Sequence, residues 1–179
     1  YLPIIENGDR VGTYELIEPK ANPKFVDVLE QLDEVGDSQV IIWCRFTAEI
    51  EGLHKLLQVR GYTAEKFHGP TPTRERISIR KRFARNDFQI LVGMASAGGI
   101  GIDEFKAACY EIYVSNDYDT EKRVQSEDRA HRIGSEIHDA IFITDVVVPN
   151  TVDTKIIRTI RNDLEIASQI MRDGWKTWL

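Results

Sequence analysis

The chain has 179 residues, of which 42% are hydrophobic, and its formal net charge is −6. This length allows one compact domain with a sizeable core and does not call for a second. The acidic balance argues against a protein that coats polyanions with its whole surface, because sequence-independent affinity for nucleic acids comes from neutralised phosphates.

The chain is predicted to begin with an arm and a helix. Residues 1–21 contain two glycines and two prolines, a composition that favours a lead-in arm. Residues 22–35 have apolar side chains at helical spacing, with Asn22 suited to the N-cap and Gly36 to the end of the helix.

A buried strand and a second helix are predicted next. Residues 40–44 read VIIWC, which is apolar without alternation and typical of a strand covered on both faces. Thr47 is predicted to cap the following helix and Gly61 to end it.

Strand and helix then alternate to the end of the chain. The predicted elements are a strand at 63–67, a basic helix from 73, strands at 88–92 and 110–114, a helix at 120–133, a strand at 140–148 and a helix at 152–171. This alternation predicts an α/β fold with a parallel sheet and helices on both faces. In such sheets the functional loops leave the carboxyl ends of the strands.

The turn after the strand at 88–92 contains three glycines in four positions, within the sequence SAGGIGID at 96–103. Such a turn lets backbone amides approach phosphate oxygens, although a tight turn that needs positive φ values explains the glycines equally well. Neither of the two common glycine fingerprints for nucleotides is present. Without a phosphate-gripping lysine loop or an acidic pair that closes an apolar strand, the chain is not expected to hydrolyse ATP alone.

The helix at 120–133 carries Gln125, Arg129 and Arg132 at positions i, i+4 and i+7, so one face presents an amide and two guanidinium groups. Cations fixed in this way suit the charge that develops on a transferring phosphoryl group. The alternative is a surface ion pair between Asp128 and Arg132.

Two further segments are predicted to contact a phosphate backbone. The helix start at Arg45 and Thr47, and the loop at His68 and Gly69, offer backbone amides and a positive dipole end, although loops and caps need no ligand. Residues 73–85 carry six basic side chains and a single acid, Glu75. This segment is either a local nucleic-acid surface or a solvated helix face.

Several other functions are not indicated. There is no run of about 18 apolar residues and no secretory leader, and Cys44 and Cys109 lie too far apart in sequence to suggest a disulfide framework. The histidines show no metal-ligand spacing with either cysteine, and no hydrolase triad is apparent. We expect a soluble, intracellular protein without a metal site of its own or a membrane partner.

Four ordered motifs resemble the C-terminal motor lobe of superfamily-two helicases, and the Swi/Snf-like branch in particular. They are VIIWCRF at 40–46, HGPTPTRERISIRKRF at 68–83, SAGGIGID at 96–103 and QSEDRAHRIG at 125–134. The last motif is the most specific, because Gln, Asp-Arg, His-Arg and Ile-Gly at these spacings are the signature of the branch. The resemblance implies a RecA-like lobe at 22–148 and a C-terminal brace helix at 149–179.

The resemblance also implies roles for individual residues. A first lobe of the same full-length chain would hold ATP and Mg²⁺, and Arg129 and Arg132 would reach the phosphates across the cleft as catalytic residues. Gln125, Gly101 and Asp103 would lie near the nucleotide. The residues implied to face double-stranded DNA, with RNA left open, are Arg45, His68, Gly69, Ser96, Ala97 and Gly98, to which the helix start adds Thr47.

The resemblance therefore predicts half of an ATP-driven translocase. The absence of large insertions between the motifs favours a microbial or virus-encoded member working in the cytoplasm, with the nucleus as the alternative. Two other functions stay open: a non-catalytic clamp that binds nucleic acid with the helicase fold, and a dinucleotide-binding oxidoreductase lobe, which lacks the glycine fingerprint.

Overall fold

The computed structural model describes residues 2–6, 9–15, 17–95, 104–130, 138 and 140–173. The first of these residues form an antiparallel hairpin of strands β1 (Leu2–Glu6) and β2 (Asp9–Glu15). The sequence prediction of an arm at 1–21 missed this hairpin. The Asn7-Gly8 dipeptide in the sequence is a common hairpin signal and was the clue to it.

Five parallel strands form the central sheet, in the spatial order β4-β5-β3-β6-β7. They are β3 (Val40–Trp43), β4 (Ala64–Phe67), β5 (Ile90–Gly93), β6 (Tyr110–Tyr113) and β7 (Phe142–Asp145). This sheet confirms the predicted α/β fold with parallel strands.

Helices cover both faces of the sheet. They are α1 (Pro23–Val35), α2 (Thr47–Val59), α3 (Thr73–Ala84), α4 (Thr120–Ala130) and α5 (Val152–Asp173). The predicted end of α4, at 131–133, lies outside the described residues. A 3-10 helix at Glu104–Ala107 precedes β6.

Strand β3 shows why its sequence does not alternate. Val40 and Ile42 pack into a core with α1 and α2, whereas Ile41 and Trp43 pack into a second core with α3 and the 3-10 helix. All four strand residues are buried. A central parallel strand covered on both faces requires an apolar side chain at every position, as predicted.

The ends of the helices follow local capping chemistry. The Asn22 side chain accepts a hydrogen bond from the Lys24 amide at 3.0 Å, so the predicted N-cap of α1 is confirmed. The prediction that Thr47 caps α2 is wrong, because Phe46 is the N-cap and Thr47 the first helical residue. The Glu49 carboxylate, three residues into α2, accepts from the Phe46 amide at 3.3 Å, and this contact replaces a hydroxyl cap.

Helix α5 buries an apolar stripe of Ile156, Ile157 and Ile160, against which Val147 in the segment after β7 also packs. Its first turn is tied to α1, where the Lys24 ammonium lies 2.7 Å from an Asp153 oxygen and donates to the Val114 carbonyl at 2.9 Å. Through Lys24, α5 is therefore linked to the carboxyl end of β6. This is the helix that the resemblance identified as a C-terminal brace.

Candidate functional site

A crevice opens at the carboxyl edge of the sheet, where β3 and β6 lie side by side. After β3 the chain continues through α2 on one face of the sheet, and after β6 it continues through α4 on the other face. Adjacent strands whose connections run in opposite directions form the topological switch point of an open α/β sheet. The crevice is lined by the ends of β3, β5 and β6 and by the start of α4: Trp43, Cys44, Arg45, Met94, Ala95, Tyr113, Ser115, Asn116, Asp117, Asp119, Lys122 and Arg123.

At the end of β3, Ser115 fixes the backbone from which Arg45 projects. The Ser115 hydroxyl accepts from the Arg45 amide at 2.8 Å and donates to Glu49 Oε2 at 2.5 Å. The Arg45 side chain is exposed, with its guanidinium carbon 5.2 Å from the centroid of the Phe46 ring, and Thr47 is also exposed. Both predicted nucleic-acid residues are thus at the surface beside the crevice.

The loop after β4 has a buried side chain and an exposed backbone. The His68 side chain is buried, with Nε2 3.3 Å from Glu51 Oε1, and burial lowers the pKa of this imidazole. The Gly69 carbonyl accepts from Arg76 Nη2 at 2.6 Å, and Arg76 Nε donates to the Thr71 carbonyl at 2.8 Å. Gly69 is therefore at the surface, whereas the His68 side chain is not. Contacts of either residue with DNA stay predictions.

Half of the six basic side chains at 73–85 are neutralised within the lobe. Three arginines form ion pairs: Arg80 with Glu104 at 2.7 Å, Arg82 with Glu65 at 2.7 Å and Arg85 with Asp87 at 2.8 Å. Arg76 donates to the backbone carbonyls of Gly69 and Thr71. Arg74 and Lys81 are exposed. The positive surface available to a ligand is therefore smaller than the sequence count indicates.

Helix α4 has one buried and one exposed face. Arg123 and Ser126 are buried, whereas Gln125 and Asp128 are exposed, and the Gln125 amide donates to Glu121 one turn earlier at 2.9 Å. Arg129 lies in the last turn of α4, but its side chain is outside the description, as is the whole of Arg132. The predicted grouping of both arginines with Gln125 on one helix face therefore stays a prediction.

Arg123 is a residue that the sequence reasoning missed. Its guanidinium donates from Nη1 and Nη2 to the two carboxylate oxygens of Asp145, from Nε to Glu127 and from Nη1 to Asn116. The guanidinium carbon lies 3.5 Å from the centroid of the Tyr113 ring. The Arg123–Glu127 spacing was the only local clue, because Asp145 is 22 residues away in sequence.

Glu111 is the second residue that was missed. It is fully buried in β6, and its Oε2 accepts from Trp43 Nε1 and from the Tyr113 hydroxyl, both at 2.9 Å. The Tyr113 hydroxyl lies 2.7 Å from Ser126 Oγ on α4. Burial, only partly offset by these hydrogen bonds, raises the pKa of Glu111 to about 7. A lone acid within the apolar sequence YEIYV at 110–114 was the available signal.

The glycine-rich segment is not among the described residues. The predicted site residues Ser96, Ala97, Gly98, Gly101 and Asp103 therefore stay predictions, although Ala95 at the start of this segment lines the crevice. In the described ranges, no group of three or more His, Cys, Asp or Glu side chains is suited to hold a metal ion. None of the helices described is both long and apolar enough to cross a membrane.

Residues 23–134 match the family model of the helicase conserved C-terminal domain. The matched range contains the four motifs identified in the sequence and ends at the last of them.

Two curated relatives are similar over most of this chain. The Caenorhabditis elegans homologue of "SWI/SNF-related matrix-associated actin-dependent regulator of chromatin subfamily A containing DEAD/H box 1" is 29% identical over 150 residues, which cover 83% of this chain and 15% of the relative. The human "SWI/SNF-related matrix-associated actin-dependent regulator of chromatin subfamily A member 1" is 30% identical over 149 residues, covering 82% and 14%. The chain thus spans about a seventh of the length of these relatives.

The fold is similar to the crystal structure of the C-terminal part of the Fun30 ATPase domain. The TM-score is 0.66 at 24% identity, with 76% of this chain and 45% of that chain covered. This likeness concerns the fold alone.

Proposed function

The chain belongs to the helicase conserved C-terminal domain family, as a C-terminal lobe of the Swi/Snf-like branch of superfamily two, and from this we propose that it is the second motor lobe of an ATP-dependent DNA translocase. A first lobe of the longer chain would supply the phosphate loop and the acids that hold Mg²⁺. The ATP would bind between the lobes, and this lobe alone would not hydrolyse it.

The observation that carries the proposal is the two-sided environment of α4. Buried contacts of Arg123 and Ser126 fix one face of the helix to the sheet, while Gln125 on another face is exposed. In the helix predicted at 120–133, Arg129 and Arg132 would share a face with Gln125, so a first lobe that closes on this face would meet two arginines. Their charge would stabilise the phosphoryl group in transfer, and Gly101 and Asp103 would lie near the nucleotide.

The DNA-tracking surface would run along the carboxyl edge of the sheet. Arg45 and Thr47 are exposed at the start of α2, and Gly69 is exposed in the loop after β4. We propose that these groups contact the backbone of one strand of duplex DNA together with Ser96, Ala97 and Gly98. His68, which is buried, would act by shaping its loop and presenting the neighbouring amides.

The relatives also suggest where the longer protein works. The two names above both describe regulators of chromatin, and we propose a nuclear protein that acts on chromatin or on DNA-bound proteins. The prediction of a microbial or virus-encoded protein in the cytoplasm is not supported, because these relatives are animal proteins. The short spacing between the motifs did not indicate the type of organism, because it shows only that no large insertions separate them.

Steady-state ATP hydrolysis, with and without duplex DNA, tests the proposal. We expect no turnover from the chain alone and DNA-stimulated turnover once it is joined to a first lobe of the same branch. In that two-lobe protein, Arg132→Ala is expected to lower kcat by about 10³-fold or more, the usual contribution of an arginine finger.

The matched control is Arg161→Ala, which removes an exposed arginine from α5 and is expected to leave kcat unchanged. If Arg132→Ala also leaves turnover unchanged, the lobe is a clamp and not part of the motor. Turnover by the chain alone would contradict the proposed division of labour between lobes.

A further inference from the structure

One buried cation makes several of the contacts that join helix α4 to the sheet. Arg123 is 7% exposed, and its guanidinium contacts β7 through Asp145, the segment after β6 through Asn116 and the ring of Tyr113 in β6. Since Glu127 on α4 itself accepts from Nε, each of the three guanidinium nitrogens donates at least one hydrogen bond. The side chain therefore links the helix to two neighbouring strands at once.

This contact requires the shape of arginine as well as its charge. Nη1 and Nη2 reach the two oxygens of one carboxylate, in the forked geometry that a planar guanidinium provides. The same plane stacks on the Tyr113 ring at 3.5 Å. A lysine would keep the charge but would lose the fork and the stacking, so it would hold α4 less firmly.

Arg123 precedes Arg129 by six residues, which is about 9 Å along a helix that rises 1.5 Å per residue. A tilt of α4 by about 10° around Arg123 would therefore move the backbone of Arg129 by about 1.6 Å. Displacements of about 1 Å at a group that stabilises a transition state cost about 10²-fold in rate. The anchor of α4 is thus close enough to the proposed arginine fingers to control their placement.

We propose that Arg123, paired with Asp145, is a positioning residue that sets the orientation in which α4 presents Arg129 and Arg132 to ATP. The inference rests on the proposed function, because it assumes that these arginines act on the nucleotide. We place Arg123 outside the reacting groups because, although its side chain lines the crevice, its guanidinium is held by Asp145, Glu127 and Asn116.

The experiment compares Arg123→Lys and Asp145→Asn in the two-lobe protein, measuring kcat and KM for ATP with saturating duplex DNA. Both changes weaken a buried ion pair, so melting curves must place each variant above the assay temperature. We expect kcat to fall about ten- to hundredfold, with KM within about threefold of the parent. Arg161→Lys, on the exposed side of α5, is the matched control and should match the parent.

A double variant separates positioning from a stabilising role. If Arg123 acts through the fingers, Arg123→Lys added to Arg132→Ala lowers kcat little further, because residues that act as a unit are not additive. Two results would overturn the inference. One is a kcat of Arg123→Lys within about twofold of the parent. The other is a double variant whose loss of kcat equals the product of the two single-variant losses, as expected for independent sites.

The two proposals fail in different ways. If Arg132→Ala alone keeps full turnover, the proposed function fails and the positioning role fails with it. If Arg132→Ala is inactive while Arg123→Lys and Asp145→Asn turn over like the parent, only the positioning role is refuted.

Discussion

Replacing Glu111 by Gln should abolish a pH dependence of stability that this buried carboxyl creates. Glu111 is fully buried in β6, and its only hydrogen bonds among the described residues are those that Oε2 accepts from Trp43 and Tyr113. Burial raises the pKa of Glu111 from an ordinary value of 4.5 to about 7. Folding therefore favours the protonated, neutral form of this side chain.

The sign follows from proton linkage. The folded protein binds this proton more tightly than the unfolded chain, so the stabilisation is fully present below about pH 4.5 and is lost as the pH rises to about 7. One pKa unit corresponds to about 1.4 kcal/mol, so the free energy of unfolding should fall by about 2–3 kcal/mol from this group between about pH 5 and 8. Gln cannot ionise, and Glu111→Gln should lack this decrease.

Urea unfolding at several pH values, followed by circular dichroism, measures the difference. Glu30→Gln, on the exposed side of α1, controls for the loss of one carboxylate and should keep the parental pH dependence. Parallel pH curves for the parent and Glu111→Gln would refute the reasoning, since they would mean that Glu111 titrates alike in the folded and unfolded states.

Two further changes test the packing around the candidate site. Gly93→Ala should destabilise the chain by about 1–3 kcal/mol, because the new Cβ would lie 2.9 Å from the Phe67 carbonyl oxygen. Gly69→Ala is the control: nothing lies within 4 Å of its Cβ, so it should change the free energy of unfolding by less than about 0.5 kcal/mol. Lys24→Met should cost about 1–3 kcal/mol, because it leaves the half-buried carboxylate of Asp153 without its cation. Chemical unfolding measures all three variants, and equal stability of the two glycine variants, or an unchanged Lys24→Met, would contradict these readings of the contacts.

The fold was predictable because its signals are local and repeated. Apolar residues 40–44 and the helical spacing at 22–35 each fix an element by themselves, and their alternation fixes the parallel sheet. The Thr47 cap was predicted wrongly because a hydroxyl at a helix start is a common cap, whereas here the Glu49 carboxylate reaches back to the Phe46 amide.

The candidate site was predictable only in part. The motifs indicated which segments meet at the carboxyl edge of the sheet, since parallel strands bring their following loops together. The pair of Arg123 and Asp145 was not predictable, because it joins α4 to β7 across 22 residues and requires knowing that both side chains are held inside the fold. The burial of His68, a residue that reads as an exposed loop histidine, depends likewise on neighbours such as Glu51 that are distant in sequence.

The ion pairs of α3 bear on how a lobe of this kind would step along DNA. Arg80 and Arg82 already pair with Glu104 and Glu65, so a phosphate would have to displace a carboxylate to reach either guanidinium. Such contacts would break an existing ion pair, so they would contribute less to affinity than contacts from free arginines. We therefore expect this lobe to hold duplex DNA weakly by itself, and tight binding to need both lobes. Weak binding by each half suits translocation, because a motor that moves along DNA has to release one grip in every cycle.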